Sequence, residues 1–377
     1  MVNTPVFRGS TILSNSLTEW ESRKLPGNPY ASYGRFGTPT TRALETALAE
    51  LEGGYRSIVF PSGLAACTHS LLALLKPGDH ALISDSVYGP TRSFATTVLT
   101  RFGIDVAFFD PLAGGEIRGQ IRPSTRVVFV ESPGSTTFEV QDIPAIAEEA
   151  HKVDAFVVMD NTWATPLFFK PFEHGVDISV QAATKYIAGH SDVMQGVVVV
   201  DSPALAAKIS TAHEALGLAI GADDAYLALR GLRTLPVRLA QHQRHATQVA
   251  QALEQHPHVA RVFYPALASD PGHALWRRDF SGASGLVSFA FEHADADGAN
   301  AFVDALKYFG IGASWGGYES LALVAQPERL REHSYWTAEQ PVVRLHIGLE
   351  DPLDLIADLE QAFERVPVGA AVEAALA

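Results

Sequence analysis

Lys185, in Thr184-Lys185-Tyr186, follows the short apolar stretch Ile178 to Gln181 and precedes the turn Gly189-His190-Ser191-Asp192. Beyond the carboxyl end of a strand is where α/β sheets present their ligands. In apolar surroundings an ammonium is destabilised, so the lysine pKa falls and the free amine becomes a Schiff-base nucleophile. Asp160 ends a second apolar stretch, Val157-Val158-Met159-Asp160. A carboxylate there can keep a pyridine nitrogen protonated, which makes pyridoxal 5'-phosphate (PLP) an electron sink. Ser62-Gly63 joins the stretch Ser57 to Phe60 to a helical pattern, so Gly63 permits close approach and the helix start favours an anion. Tyr88, before Gly89-Pro90, follows the next stretch and could stack on a ring. Taken singly, each has an ordinary reading: a solvated lysine, a turn-capping carboxylate, a helix cap, an aromatic packed in a turn. Together they describe one cofactor cradle.

The elements needed to hold them are legible. Ser57 to Phe60, His80 to Ser84, Arg126 to Glu131, Phe156 to Asp160, Ile178 to Gln181 and Gln195 to Val200 are continuously apolar or β-branched and alternate with helical patterns such as Leu64 to Leu75 and Ile143 to His151. Such strands belong to a mainly parallel sheet covered on both faces. From Ala204 to Gln255 the pattern is mainly helical. Beyond it, Arg261 to Tyr264, Leu286 to Phe291 and Val342 to Ile347 alternate with helices at Ala299 to Tyr308 and Leu353 to Arg365, which predicts a smaller C-terminal α+β domain. The first 50 or so residues, with Pro26-Gly27-Asn28-Pro29, show little regular pattern and read as an arm. The tail from Val366 is expected to lack a packed partner.

Composition narrows the function. Twenty-eight Lys and Arg against 42 Asp and Glu give a net charge of −14, with no basic run to offset it. That disfavours nucleic acid and anionic membrane as partners and leaves a small molecule or further copies of the chain. A charged fraction of only 19% in 377 residues points to surface buried in an oligomer. The apolar stretches are far shorter than the ~20 residues a membrane span needs. The N-terminus shows no secretory signal, so the expected address is cytoplasmic. A single cysteine, Cys67, excludes an intramolecular disulfide and reads as helix core. His242, His245, His256 and His258 lack ligand spacing and are expected to be solvated helix positions, with no metal.

An ordered set of motifs then carries a resemblance: Tyr33-Gly34-Arg35, Phe60-Pro61-Ser62-Gly63, Glu131-Ser132-Pro133-Gly134, Asp160-Asn161-Thr162-Trp163, Ala183-Thr184-Lys185-Tyr186 and Ser314-Trp315-Gly316-Gly317-Tyr318-Glu319-Ser320. Over nearly its whole length the chain resembles the Cys/Met-metabolism class of PLP-dependent enzymes, the cystathionine γ-synthase-like members of the aspartate-aminotransferase-like (fold type I) group. Gln181 to Tyr186, Arg230 to Leu235, Trp276 to Phe280 and Arg344 to Asp351 are most similar to the bacterial cystathionine β-lyase branch. Trp315 and Tyr318 stand where relatives acting at Cγ usually have leucine and valine. Ala182 stands where many relatives have a serine that contacts the phosphate.

The resemblance implies an arm over 1–50 reaching a neighbouring active site, a PLP-binding α/β domain over 51–240 and a C-terminal α+β domain over 241–377. It implies that Lys185 carries the cofactor and moves protons, that Asp160 pairs with the ring nitrogen, and that Tyr88 stacks and assists. Ser62, Gly63, Leu64 and Thr184 would hold the phosphate, joined by Tyr33 and Arg35 from the neighbour, with Asn161 near the cofactor hydroxyl. Ser314, Trp315 and Arg344 would bind the carboxylate of an amino-acid substrate. The implied reaction is carbon–sulfur β-elimination on L-cystathionine, giving homocysteine, pyruvate and ammonia, by a homotetramer built as a dimer of dimers. The alternatives are a γ-acting relative, a broad cysteine or cystine lyase, or a regulator on the same fold with vestigial catalysis.

Overall fold

The computed structural model describes residues 2–25, 31–325, 331–333 and 340–366; the Pro26 to Pro29 cluster and the tail beyond Val366 lie outside them. Seven strands form the first sheet: β1 (Arg56–Phe60), β2 (His80–Ser84), β3 (Asp105–Phe109), β4 (Thr125–Glu131), β5 (Phe156–Asp160), β6 (Ile178–Gln181) and β7 (Gly196–Val200). Their order is β1-β7-β6-β5-β4-β2-β3. The five strands from β6 to β3 run parallel, and only β7 pairs antiparallel, with β6 on one side and β1 on the other. Val197 to Val200 are fully buried, as expected of a strand covered on both faces.

A second sheet has the order β10-β11-β12-β9-β8, from β8 (Val259–Phe263), β9 (Leu286–Phe291), β10 (Gly310–Ile311), β11 (Leu321–Ala325) and β12 (Val342–His346). The helix Leu235–Glu254 joins the two sheets: Leu235 and Leu239 pack with Tyr186, while Ala246, Val249 and Leu253 pack with Phe263 and Phe289. Val128, Val157 and Met159 of the first sheet belong to that same apolar cluster. One continuous core therefore fixes the second sheet against one face of the first.

The N-terminal region is more regular than the sequence pattern predicts. It holds α1 (Leu17–Ser22) and α2 (Pro39–Glu52). Thr38 closes a capping box on α2, Pro39 occupies its first turn, and Gly53 ends it in a left-handed conformation. Leu44 and Leu48 are fully buried against Val59, Val197 and Val199, so the part of the expected arm from Pro39 onward is core. Edge strand β3 and strands β10 and β11 are further elements that the sequence pattern leaves out. α3 (Gly63–Leu74) covers the opposite face, where Ala66, Cys67 and Leu71 pack with Ile58, Val180 and Val198. Among the described residues no helix is long and apolar enough to cross a membrane.

Candidate active site

The carboxyl ends of β4, β5 and β6, the start of α3 and the turn at Ser314 to Gly316 converge around Lys185. Lys185 Nζ donates to Ser314 Oγ at 2.5 Å and lies 5.1 Å from the centre of the Trp315 ring. Burial and the nearby Arg344 push the Lys185 pKa down to about 8, with Asp160 opposing. An ordinary lysine near 10.4 is almost wholly protonated at pH 8, whereas this one is about half free amine. Arg344 Nη2 donates to Ser314 O at 3.2 Å, and its Nε is buried without a partner among the described residues. Burial also lowers the Arg344 pKa. A partly buried guanidinium beside a lysine, with donors left unused, suits an incoming carboxylate.

Asp160 is buried at the end of β5. Its Oδ1 accepts from the Thr162 N–H at 3.0 Å and the Thr162 hydroxyl at 2.5 Å, while among the described residues Oδ2 faces only the Cys67 thiol, at 3.6 Å. One oxygen thus lacks a strong donor. Burial raises the Asp160 pKa, offset by the Thr162 hydrogen bonds. A cationic ring N–H at Oδ2 would supply both the missing donor and the missing charge.

The start of α3 fits an anion. Ser62 Oγ caps the N–H of Ala65, and Ser62 O accepts from Ala66. The first amides of a helix have no intrahelical acceptor, so those of Gly63 and Leu64 point outward. A Cβ on Gly63 would lie 2.5 Å from Ala182 Cβ, so only glycine lets this helix end approach the loop bearing Lys185. Tyr88, at the start of α4 (Gly89–Phe94), is 46% exposed and senses the charges of Glu131, Asp160 and Arg344. Anion donors, a half-open aromatic, a carboxylate lacking a donor and a lysine of lowered pKa thus surround one space, and they fit PLP.

Four residues expected at a cofactor have their polar groups engaged elsewhere in this chain. Asn161 follows Asp160 and points to the opposite face of the sheet, where its Nδ2 donates to Glu52 Oε1 and Phe169 O, each at 3.3 Å. Its Oδ1 is buried without a partner among the described residues. Thr184 Oγ1 is paired with Gln195 in both directions, accepting from its N–H at 2.8 Å and donating to its carbonyl at 3.1 Å. Tyr33 and Arg35 are engaged within their own chain: Tyr33 bridges to Thr11 in the N-terminal region, and Arg35 donates to Glu214 O at 2.6 Å on the helix Pro203–Leu216. Among the described residues neither is bonded to the Lys185 cluster.

Other residues at the site were given no role by sequence. Glu131, in register with Asp160 on β4, accepts from the Tyr88 N–H at 2.6 Å and the Ser135 hydroxyl at 2.5 Å. Its burial next to Asp160 raises its pKa. The signal was its place at the end of the strand beside Asp160. His242 and His245, expected to be solvated, are instead buried, with Nδ1 groups bonded to Ile347 O at 2.8 Å and Gly348 O at 3.2 Å. Burial lowers the His242 pKa to about 4, so it is neutral.

A mainly parallel sheet with a lysine and a carboxylate at its strand ends, closed by a smaller sheet, defines a fold type I PLP-dependent enzyme. The chain belongs to the Cys/Met metabolism PLP-dependent enzyme family, whose model matches residues 1–364. It is 47% identical over 368 residues to the cystathionine beta-lyase of Bordetella avium, covering 97% of this chain and 92% of that protein. It is 42% identical over 373 residues to the cystathionine beta-lyase MetC of Escherichia coli strain K12, covering 97% and 94%. The crystal structure of metB from Corynebacterium glutamicum superposes with a TM-score of 0.88 at 33% identity, covering 97% of this chain and 94% of that one.

Proposed function

We propose that the protein is a PLP-dependent carbon–sulfur lyase that cleaves L-cystathionine by β-elimination to homocysteine, pyruvate and ammonia. The observation that carries this reading is the Lys185–Ser314–Arg344 group, where a lysine of lowered pKa and a partly buried guanidinium with unused donors share one hydroxyl-bearing turn. When bound, PLP supplies an electron sink for the bonding pair released at the substrate Cα. Arg344 and Ser314 grip the α-carboxylate and fix the Cα–H bond relative to Lys185. Lys185 Nζ takes the Cα proton, and its lowered pKa keeps a free amine available for that step near neutral pH. Asp160 would hold the ring-nitrogen proton, while Ser62 and the Gly63 and Leu64 amides would hold the phosphate. Tyr88 would cover the ring face and stands within the field of Glu131, Asp160 and Arg344. As the Cβ–S bond breaks, the sulfur leaves with its electron pair and takes up a proton as homocysteine. Released 2-aminoacrylate then hydrolyses to pyruvate and ammonia.

The arm supports a shared site in a homotetramer arranged as a dimer of dimers. Leu13 is 85% and Leu17 80% exposed, and Tyr33 and Arg35 lie off the Lys185 cluster of their own chain, so a neighbouring subunit is the natural cover and recipient. We also propose that the enzyme works in the cytoplasm. Borohydride reduction of the purified protein followed by peptide mapping tests the role of Lys185. The cofactor should be fixed to the peptide containing Lys185; fixation to any other lysine would refute the assignment.

A further inference from the structure

β12 carries two alternate residues, Arg344 and His346, that leave the strand on one face. Both reach the same turn. Arg344 donates to Ser314 O at 3.2 Å, and His346 Nε2 accepts from the Gly316 N–H at 3.1 Å. The other imidazole nitrogen, Nδ1, lies 3.0 Å from Glu319 O. A carbonyl can only accept, so Nδ1 carries the proton and the Nε2 lone pair is the one presented to Gly316. The ring is 1% exposed, walled by Tyr186 at 5.9 Å and His242 at 5.2 Å between ring centres.

The turn needs such a hold. Ser314 has φ +84° and Gly316 φ +93°. A side-chain-bearing residue stays in that region only when its neighbours over-determine it. A Cβ on Gly316 would sit 2.8 Å from Lys185 Cα and 2.9 Å from Lys185 Cβ, so the turn is pressed onto the backbone of the lysine itself. That contact brings Ser314 Oγ to Lys185 Nζ. We propose that His346 is a positioning residue, an imidazole acceptor that clamps Gly316 and so holds Ser314 and Trp315 in register with Lys185 and the substrate carboxylate. The link to the carboxylate rests on the role given above to Arg344 and Ser314. The clamp itself does not.

An apolar ring at position 346 would keep the packing and leave the Gly316 N–H buried and unpaired, whereas a glutamine retains an acceptor at similar reach. The test compares His346→Phe and His346→Gln as holoenzymes, by amide hydrogen exchange of the peptide spanning 314–317 and by KM and kcat on cystathionine. In His346→Phe that peptide should exchange about tenfold faster or more, and KM should rise by a similar factor, since an unpaired buried N–H loosens the turn. In His346→Gln both should return to within about threefold of wild type. Unchanged exchange and KM in His346→Phe would overturn the clamp, as would equal acceleration across every peptide of the second sheet, which marks general destabilisation. If His346→Phe does not fold, His346→Gln decides alone: retained protection supports the acceptor role, and a tenfold loss refutes it. The exchange measurement needs no substrate, so a failure of the carboxylate reading, which Arg344 variants decide, stays distinguishable.

Discussion

Arg344→Ala removes a guanidinium that is partly buried, has an Nε without a partner among the described residues, and holds the turn through Ser314 O. If it grips a carboxylate with two charge-assisted hydrogen bonds of ~1.5 to 3 kcal/mol each, the gross loss is ~3 to 6 kcal/mol. The buried cation already costs some desolvation in the wild type, which pulls the expected loss to ~3 to 5 kcal/mol, or roughly 150- to 5,000-fold in kcat/KM. Arg344→Lys should recover little, because an ammonium cannot reproduce the planar fork. A second consequence needs no turnover: Arg344 is one of the causes that depress Lys185, so its removal should raise the Lys185 pKa above about 8. The pH dependence of Lys185 acylation in cofactor-free protein reads this directly. Cofactor binding should survive both variants. A kcat/KM within threefold of wild type, or an unmoved Lys185 titration, would refute the reasoning.

Burial depresses the His213 pKa to about 4, against an ordinary 6.5 in the unfolded chain. The unfolded state therefore takes the proton first, and the stability this group contributes is present above pH 6.5 and lost as pH falls toward 4, by about 2 kcal/mol at pH 5. His213→Gln should lose about 2 kcal/mol less than wild type between pH 7.5 and pH 5 in urea unfolding at fixed protein concentration, and identical losses would contradict this account. For the shared site, inactive Tyr33→Phe or Arg35→Ala protein mixed with inactive Lys185→Ala protein should regain activity once subunits exchange. Verified exchange with no recovery would show that the arm serves no neighbouring site.

The parts of the site that were legible from sequence are those fixed by strand ends. Val157 to Asp160 is apolar up to its last residue, and a carboxylate placed there has to emerge at the sheet's edge, as Asp160 does. Ser62-Gly63 announced a helix start because its cap and its close approach are both local chemistry. Asn161, the residue after β5, turns its Nδ2 toward Glu52 and Phe169, a direction that motif adjacency to Asp160 does not record. His242 and His245 looked solvated because helical periodicity cannot show that carbonyls more than 100 residues away, at Ile347 and Gly348, come to meet them. α2 was hidden by the glycine and proline density before it, although Thr38-Pro39 and Gly53 mark its two ends. A reach of Tyr33 and Arg35 into a neighbouring site would be a property of an assembly, which one chain does not contain.

The most direct measurement is the product balance of purified holoenzyme with L-cystathionine. Equal amounts of homocysteine and pyruvate, with ammonia, are predicted, and Lys185→Ala should form neither. Cysteine with 2-oxobutyrate would instead show cleavage at Cγ, and would contradict the placement of Lys185 as a base that acts at Cα alone before the Cβ–S bond breaks.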